Sequence, residues 1–89
     1  MGTIKAADIL EIKGRRYCTL WLDGFPEGLR LIDRCLIGGV LFDQVPVHYN
    51  FGSAKRTLEN PYIGIDIKDI VVSEEWFVGK RVEAVRELP

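Results

Sequence analysis

The residues best suited to catalysis in this 89-residue chain are His48, Cys18 and Cys35. His48 is the only histidine, and histidine alone has an unperturbed pKa near neutrality, so it is the candidate general base. A Cys–His pair is the alternative, but both cysteines stand in apolar runs, which favours buried thiols acting as small hydrophobic side chains. His48 falls between Val47 and Tyr49 on the polar face of a predicted edge strand, which favours an exposed histidine. The sequence therefore predicts a protein that is not an enzyme.

Metal and cofactor chemistry is not predicted either. One histidine and two cysteines give no CxxC or HxxxH spacing for zinc, and there is no glycine-rich phosphate-binding loop. Acidic residues do concentrate within ten positions: Asp66, Asp69, Glu74 and Glu75. A cation site or a patch for a basic partner is one interpretation. The other is helix-start chemistry and strand-end solvation, since the alternating oxygens around a glycine turn that calcium requires are missing. We expect no cofactor.

Basic residues cluster in two predicted loops, one at Lys13, Arg15 and Arg16 and the other at Lys55 and Arg56. If the fold brings both loops to one rim, they form an anion-binding lip. Nearby aromatic rings would offer the stacking faces that single-stranded RNA uses. The candidate RNA-contact residues are Lys13, Arg15, Arg16, Lys55, Arg56 and Tyr49. The alternative is that these are ordinary solvated turns. Duplex DNA is disfavoured, because 12 basic residues face 13 acidic ones and the net charge is -1.

Three large aromatic residues, Trp21, Trp76 and Phe77, are candidate contacts for a protein partner. Aromatic anchors dominate the energetics of many protein interfaces. The alternative is that the Trp76–Phe77 pair plugs the end of a small barrel.

The elements that would position these residues are short strands. Apolar and alternating runs predict a hairpin over residues 9–22, a strand at 35–42 buried on both faces and bent at its paired glycines, and further strands at 45–51, 62–67 and 80–86. Ser73 followed by two glutamates predicts one helical turn. The predicted fold class is all-β: a small closed or partly open β-barrel of six to seven strands with one short helical turn, formed by residues 1–89 as a single domain.

Two stretches are similar to those of a known family. The run from Ile9 to Arg15 (ILEIKGR), with Leu29 to Asp33 (LRLID) after a turn, resembles the opening of the second domain of translational GTPases such as elongation factor Tu. The run YIGIDIKDI near the end of the chain is similar to that domain's ending. The family has glycine at the position of Arg16, and the middle of the chain does not match. The resemblance implies a β-barrel and a partner in translation.

Because catalytic, metal and cofactor motifs are not predicted, we expect a binding function. The start of the chain lacks a charged segment followed by an apolar stretch, and the longest apolar run is far short of the roughly 20 residues that span a bilayer, so a cytoplasmic location without membrane contact is expected. We expect a non-catalytic small binding module that acts through a protein partner, as an adaptor, an inhibitor or immunity-type protein, or an assembly component. The alternative is an RNA- or ribosome-associated barrel like a translation factor. Homo-oligomerisation stays open, because the strand containing Pro46 is expected at a sheet edge.

Overall fold

The described part of the chain is one antiparallel sheet with one short helix. The computed structural model describes residues 2–30, 32–46 and 61–85. Their elements, in chain order, are β1 (Ile4–Ile12), β2 (Arg15–Leu22), β3 (Arg34–Ile37), β4 (Val40–Val45), β5 (Tyr62–Asp66), α1 (Glu74–Phe77) and β6 (Val82–Val85). The strand order in the sheet is β1-β2-β5-β4-β3-β6, and every neighbouring pair is antiparallel.

The two edge strands of this sheet meet at one end only. Thr3, just before β1, forms a single antiparallel bridge with Arg81, just before β6. The Ile4 N–H donates to the Lys80 carbonyl at 2.8 Å, and the Val82 N–H donates to the Gly2 carbonyl at 2.9 Å. No ladder joins β1 to β6 along the rest of their length, so the sheet is not closed. The prediction of an all-β fold is confirmed, in its partly open form with six strands in the described residues.

The core lies on the concave side of the sheet, because alternate residues of each strand face inward. In β2 these are Cys18, Leu20 and Leu22, and in β5 they are Ile63 and Ile65, directly across from Leu20 and Cys18. The other buried hydrophobic members of this core are Ile4, Ala7, Cys35, Ile37, Phe42, Ile67, Phe77 and Val82. Each fully buried large apolar side chain contributes about 1.5–3 kcal/mol relative to exposure.

The prediction of one continuous strand over residues 35–42 is wrong. These residues form a hairpin in which β3 and β4 pair through Ile37 and Val40 around the turn residues Gly38 and Gly39. Both glycines have positive φ, 56° and 81°, which is the backbone of a type I′ turn. A Cβ on Gly38 would also come within 2.9 Å of the Trp76 ring. The paired glycines therefore reverse the chain completely, instead of bending it.

The helical turn predicted at Ser73 is confirmed. The Ser73 hydroxyl accepts from the Trp76 N–H at 3.3 Å and caps α1. The Glu74 carboxylate accepts from the Ile9 N–H at 2.8 Å, which ties α1 to the open edge of β1. Phe77 carries α1 into the core, with its ring centroid 5.7 Å from that of Phe42.

Segments between the strands are held by side-chain caps. Asp33, 4% exposed, accepts from the Arg30 N–H at 2.9 Å and pairs with the Arg30 guanidinium at 3.0 Å. Asp23 accepts from the Thr3 N–H at 2.9 Å and from the Gly2 N–H at 2.8 Å, and the Thr3 bond in particular lowers the pKa of the Asp23 carboxyl.

Two expected strands extend beyond what is described. The strand expected to start at Val45 does not do so: β4 ends at Val45, lies between β5 and β3 inside the sheet, and leaves Pro46 outside any strand. Residues 47–51 of that expected strand and residue 86 of the last one lie outside the described residues. Among the described residues, none belongs to a helix with the length and apolar character needed to cross a membrane.

Candidate functional site

The convex face of β1, β2, β5 and β4 carries an unusual number of apolar side chains. Tyr17 and Thr19 alternate with the inward-facing residues of β2 and so face outward. Leu10 lies directly across from Tyr17 on β1, Gly64 across from Thr19 on β5, and Val45 across from Gly64 on β4. Residues directly opposite in an antiparallel pair share a face, so these five lie on one outer face, on which Thr19 and Gly64 are buried and the other three are half-buried.

This surface contains a cleft of about 410 Å³. The residues that line it are Leu10, Ile12, Tyr17, Cys18, Thr19, Val45, Pro46 and Gly64. Gly64 explains the depression, because it places no side chain in the row between Thr19 and Val45. Ile12, which is 49% exposed, stands where the cleft meets the end of β1. Most of the lining is apolar, so the cleft can take an apolar group out of water.

Two cations stand beside Ile12 at this end of the sheet. Ile12 pairs with Arg15 across a two-residue turn, Lys13–Gly14, whose φ angles are 52° and 77°. Lys13 and Arg15 are exposed, and neither forms an ion pair with another described residue. Arg16 is different, since its guanidinium donates to the Ile70 carbonyl at 3.1 Å and is partly buried. The hairpin therefore presents Lys13 and Arg15 to solvent and uses Arg16 to hold the chain before α1.

A smaller cleft of about 260 Å³ lies beside the same hairpin, and its charges are mixed; Asp66, directly across from Tyr17, shares the outer face with it. Gly14, Arg15, Arg16, Asp66, Lys68 and Asp69 line it. The Lys68 ammonium lies 3.4 Å from a carboxylate oxygen of Asp43, and the Arg34 guanidinium lies 3.4 Å from the other oxygen. Asp43 is directly opposite Asp66 in the sheet, so these two cations relieve a repulsion between like charges.

Three of the predicted RNA-contact residues, Lys13, Arg15 and Arg16, lie on one hairpin. The other three, Lys55, Arg56 and Tyr49, lie outside the described residues. The prediction that all the basic residues share one rim therefore stays a prediction.

The predicted aromatic contacts separate into two groups. Trp21 is 1% exposed and Phe77 is 0% exposed, so neither presents an anchor at the surface. Trp76 is half-buried: its ring lies 5.0 Å from that of Phe77, and the Lys80 ammonium lies 4.3 Å from its centroid. Tyr62, 46% exposed, has its ring 6.4 Å from that of Trp21.

The candidate catalytic groups are placed as follows. Cys18 and Cys35 are free thiols in the core. Burial, with a smaller contribution from the Asp33 carboxylate, raises the pKa of Cys35 to about 11, so its nucleophilic thiolate is scarce at neutral pH. His48 lies outside the described residues, and within the described ones no three His, Cys, Asp or Glu side chains are grouped to hold a metal ion.

Comparison with protein-family models, with curated proteins and with solved structures gave no match.

Sequence reasoning did not single out the apolar residues of the larger cleft: Leu10, Ile12, Val45 and Gly64. One signal for them was present. In β1, Ala7 and Ile9 alternate with Leu10 and Ile12, so apolar residues occupy both faces near the end of the strand. A strand with one solvated face would show polar residues there.

Proposed function

We propose that this protein is a non-catalytic binding module, and that it holds a protein partner in the outer-face cleft lined by Leu10, Ile12, Tyr17 and Val45. The observation that carries the proposal is the cleft itself, about 410 Å³ with mainly apolar lining, on the outer face of a sheet whose inner face forms the core. Concave apolar sites of about 300–1,000 Å³ with a few polar groups are typical binding sites.

The cleft suits one or two apolar side chains of a partner. Ile12 is half exposed, and the binding of an apolar group against it removes surface from water at about 25 cal/mol per Å². Thr19 contributes a hydroxyl to the lining of the cleft, and Tyr17 contributes a ring with a polar hydroxyl. These polar groups favour specific recognition over nonspecific hydrophobic association.

The non-catalytic part of the proposal rests on the thiols. Cys35 is in the core away from the cleft and its raised pKa keeps it protonated at neutral pH, while Cys18, which lines the cleft, is 1% exposed and so presents little of its thiol to a ligand. The roles that suit such a module are those of an adaptor, an inhibitor or an assembly component.

A second candidate is an RNA-binding barrel. It is favoured by the position of Lys13, Arg15 and Arg16 on one hairpin, with Tyr17 two residues beyond Arg15 on the same face. Cations that track the backbone beside an aromatic platform are the recurring arrangement for single-stranded nucleic acid.

The test compares capture by three forms of the tagged protein from its own cell lysate: wild type, Ile12→Thr and Leu41→Thr. Leu41 is a matched control, because it is 48% exposed against 49% for Ile12 and also faces outward, but it lies away from the cleft. Threonine is β-branched, a shape that strands favour, so both variants should keep the strand. Half of each sample is treated with ribonuclease, and any protein retained by wild type is purified and its affinity measured by calorimetry.

We expect one stoichiometric protein partner that is indifferent to ribonuclease, with affinity lowered about tenfold in Ile12→Thr and unchanged in Leu41→Thr. Equal affinities for all three forms would contradict a site in this cleft. RNA captured by wild type, and lost with Lys13→Asn and Arg15→Gln, would favour the second candidate.

A further inference from the structure

We infer that the partner enters the cleft as an extended segment with an apolar anchor residue and acidic residues next to it, whose carboxylates pair with Lys13 and Arg15. This inference rests on the proposed function, because it names the chemistry of the partner that the same cleft would hold.

The rim of the cleft is complementary in charge to an acidic ligand. Among the cations at this end of the sheet, Arg16 is bonded to a backbone carbonyl and Lys68 is paired with Asp43. Lys13 and Arg15 are exposed and form no ion pair with the described residues. Their charges are therefore available to a ligand without breaking an ion pair among the described residues.

The register of the hairpin places a cation directly beside Ile12. Ile12 and Arg15 are directly opposite each other, so their Cβ atoms lie about 5 Å apart on the outer face. An extended chain rises about 3.3 Å per residue. An apolar side chain packed on Ile12 would therefore place a carboxylate one or two residues further along within reach of Arg15 and Lys13.

The backbone of Lys13 has a conformation that is unusual for lysine. Its φ of 52° lies in the left-handed region, where glycine or asparagine is the usual residue of such a two-residue turn. A residue held in an unfavourable backbone region points toward a functional reason for its side chain. Lys68 has a similar φ of 48° and uses its charge in an ion pair with Asp43, whereas Lys13 has no ion pair among the described residues, so a ligand would give the charge of Lys13 the corresponding role.

The charges around the hairpin favour an acidic peptide over RNA. A nucleic acid requires a continuous row of cations, but Asp66 and Asp69 line the smaller cleft beside Arg15. An acidic peptide needs only Lys13 and Arg15 next to the apolar site at Ile12, and its carboxylates then lie on the β1 side of the hairpin, away from Asp66.

The experiment is a phage selection of random 12-residue peptides on immobilised wild-type protein, followed by affinity measurements by fluorescence anisotropy on the most enriched peptide. The variants are Lys13→Asn, Arg15→Gln and the double variant. Asparagine suits the turn, so loss of binding in Lys13→Asn cannot come from a broken hairpin. Arg81→Gln is the matched charge control, because Arg81 is exposed at the opposite end of β1, about 30 Å away for a nine-residue strand.

We expect enriched peptides to carry an aliphatic or aromatic anchor followed within three residues by Asp or Glu. Affinity should fall about 3-fold in each single variant and about 10-fold in the double variant, as exposed ion pairs predict, and should not change in Arg81→Gln. Higher salt should weaken wild-type binding and leave the double variant nearly unaffected.

The other outcomes separate the two claims. Enriched anchors without acidic neighbours, or equal affinity for wild type and the double variant, would overturn this inference and leave the proposed function standing. Failure to enrich any peptide, or binding that Ile12→Thr does not weaken, would overturn the proposed function as well. If a 12-nucleotide uridine RNA displaces the labelled peptide at a lower concentration than unlabelled peptide does, the inferred ligand is RNA and not an acidic peptide. Dimerisation of the protein alone in sedimentation, lost in Ile12→Thr, would identify a second copy as the occupant.

Discussion

Lys13 separates stability from binding, because its backbone conformation lowers the stability of the fold whereas its charge is proposed to raise the affinity for the partner. With φ at 52°, Lys13 occupies a region that costs an L-residue roughly 1–2 kcal/mol, and asparagine recovers part of that cost through local hydrogen bonds. Lys13→Asn should therefore raise the free energy of unfolding by about 0.5–1 kcal/mol. With an m-value of roughly 1–3 kcal/mol/M, the urea midpoint should rise by about 0.5 M.

The control is Lys13→Gln, which removes the same charge and retains the unfavourable backbone. Equilibrium urea unfolding of wild type and both variants, followed by tryptophan fluorescence, measures the difference. Lys13→Gln should stay within about 0.5 kcal/mol of wild type, so that the gain in Lys13→Asn reports the backbone alone. Both variants should lose the same affinity for an acidic peptide. Equal stability of the two variants would refute the strained turn, and with it one argument for a functional lysine.

Three further predictions concern the rest of the fold. Gly38→Ala should lower the free energy of unfolding by about 2–3 kcal/mol, because its Cβ would clash with Trp76, whereas Gly39→Ala should cost only about 1 kcal/mol for its positive φ; urea unfolding measures both. The folded pKa of Cys35 is raised to about 11 from an unfolded value of 9.0, so its contribution to stability is complete below pH 9 and is lost as the pH rises toward 11. The melting temperature of Cys35→Ala should therefore fall less between pH 9 and pH 11 than that of wild type. An equal fall in the two melting temperatures would contradict the raised pKa. The pKa of Asp23 is lowered below 3.8, so its contribution to the free energy of unfolding is present above that pH and is lost as the pH falls through the folded pKa. Acid unfolding of Asp23→Asn should lack this loss of stability. An acid-unfolding midpoint equal to that of wild type would contradict the lowered pKa.

Local patterns were sufficient to predict much of the fold. The alternation on both sides of Lys13–Gly14 predicted the first hairpin, although β1 begins at Ile4, five residues earlier than expected. The pattern missed that start because residues 5–8 include alanines and charges, and pairing with β2 decides their conformation. Ser73 with its following glutamates predicted α1, because capping is a local interaction.

Long-range packing decided what the sequence did not reveal. The apolar run at 35–42 suits one buried strand as well as two short ones, and the choice depends on the positive φ of Gly38 and Gly39 and on the Trp76 ring beside Gly38. The binding cleft was harder still, because its walls come from β1, β2, β5 and β4, and its depression arises where Gly64 lies between two outward-facing neighbours. Strand order cannot be read from a local pattern. Basic residues could be predicted to lie in a turn, but the absence of ion-pair partners for Lys13 and Arg15 among the described residues depends on tertiary structure.

The most direct test of the central claim is amide chemical-shift mapping of the ¹⁵N-labelled protein titrated with the most enriched peptide from the selection. The account predicts that the largest shifts occur at Ile12, Tyr17 and Gly64, with Leu36 and Leu41 on the far side of the outer face unchanged. Shifts centred on Leu36 and Leu41, or spread evenly over the sheet, would contradict a partner-binding site in the outer-face cleft.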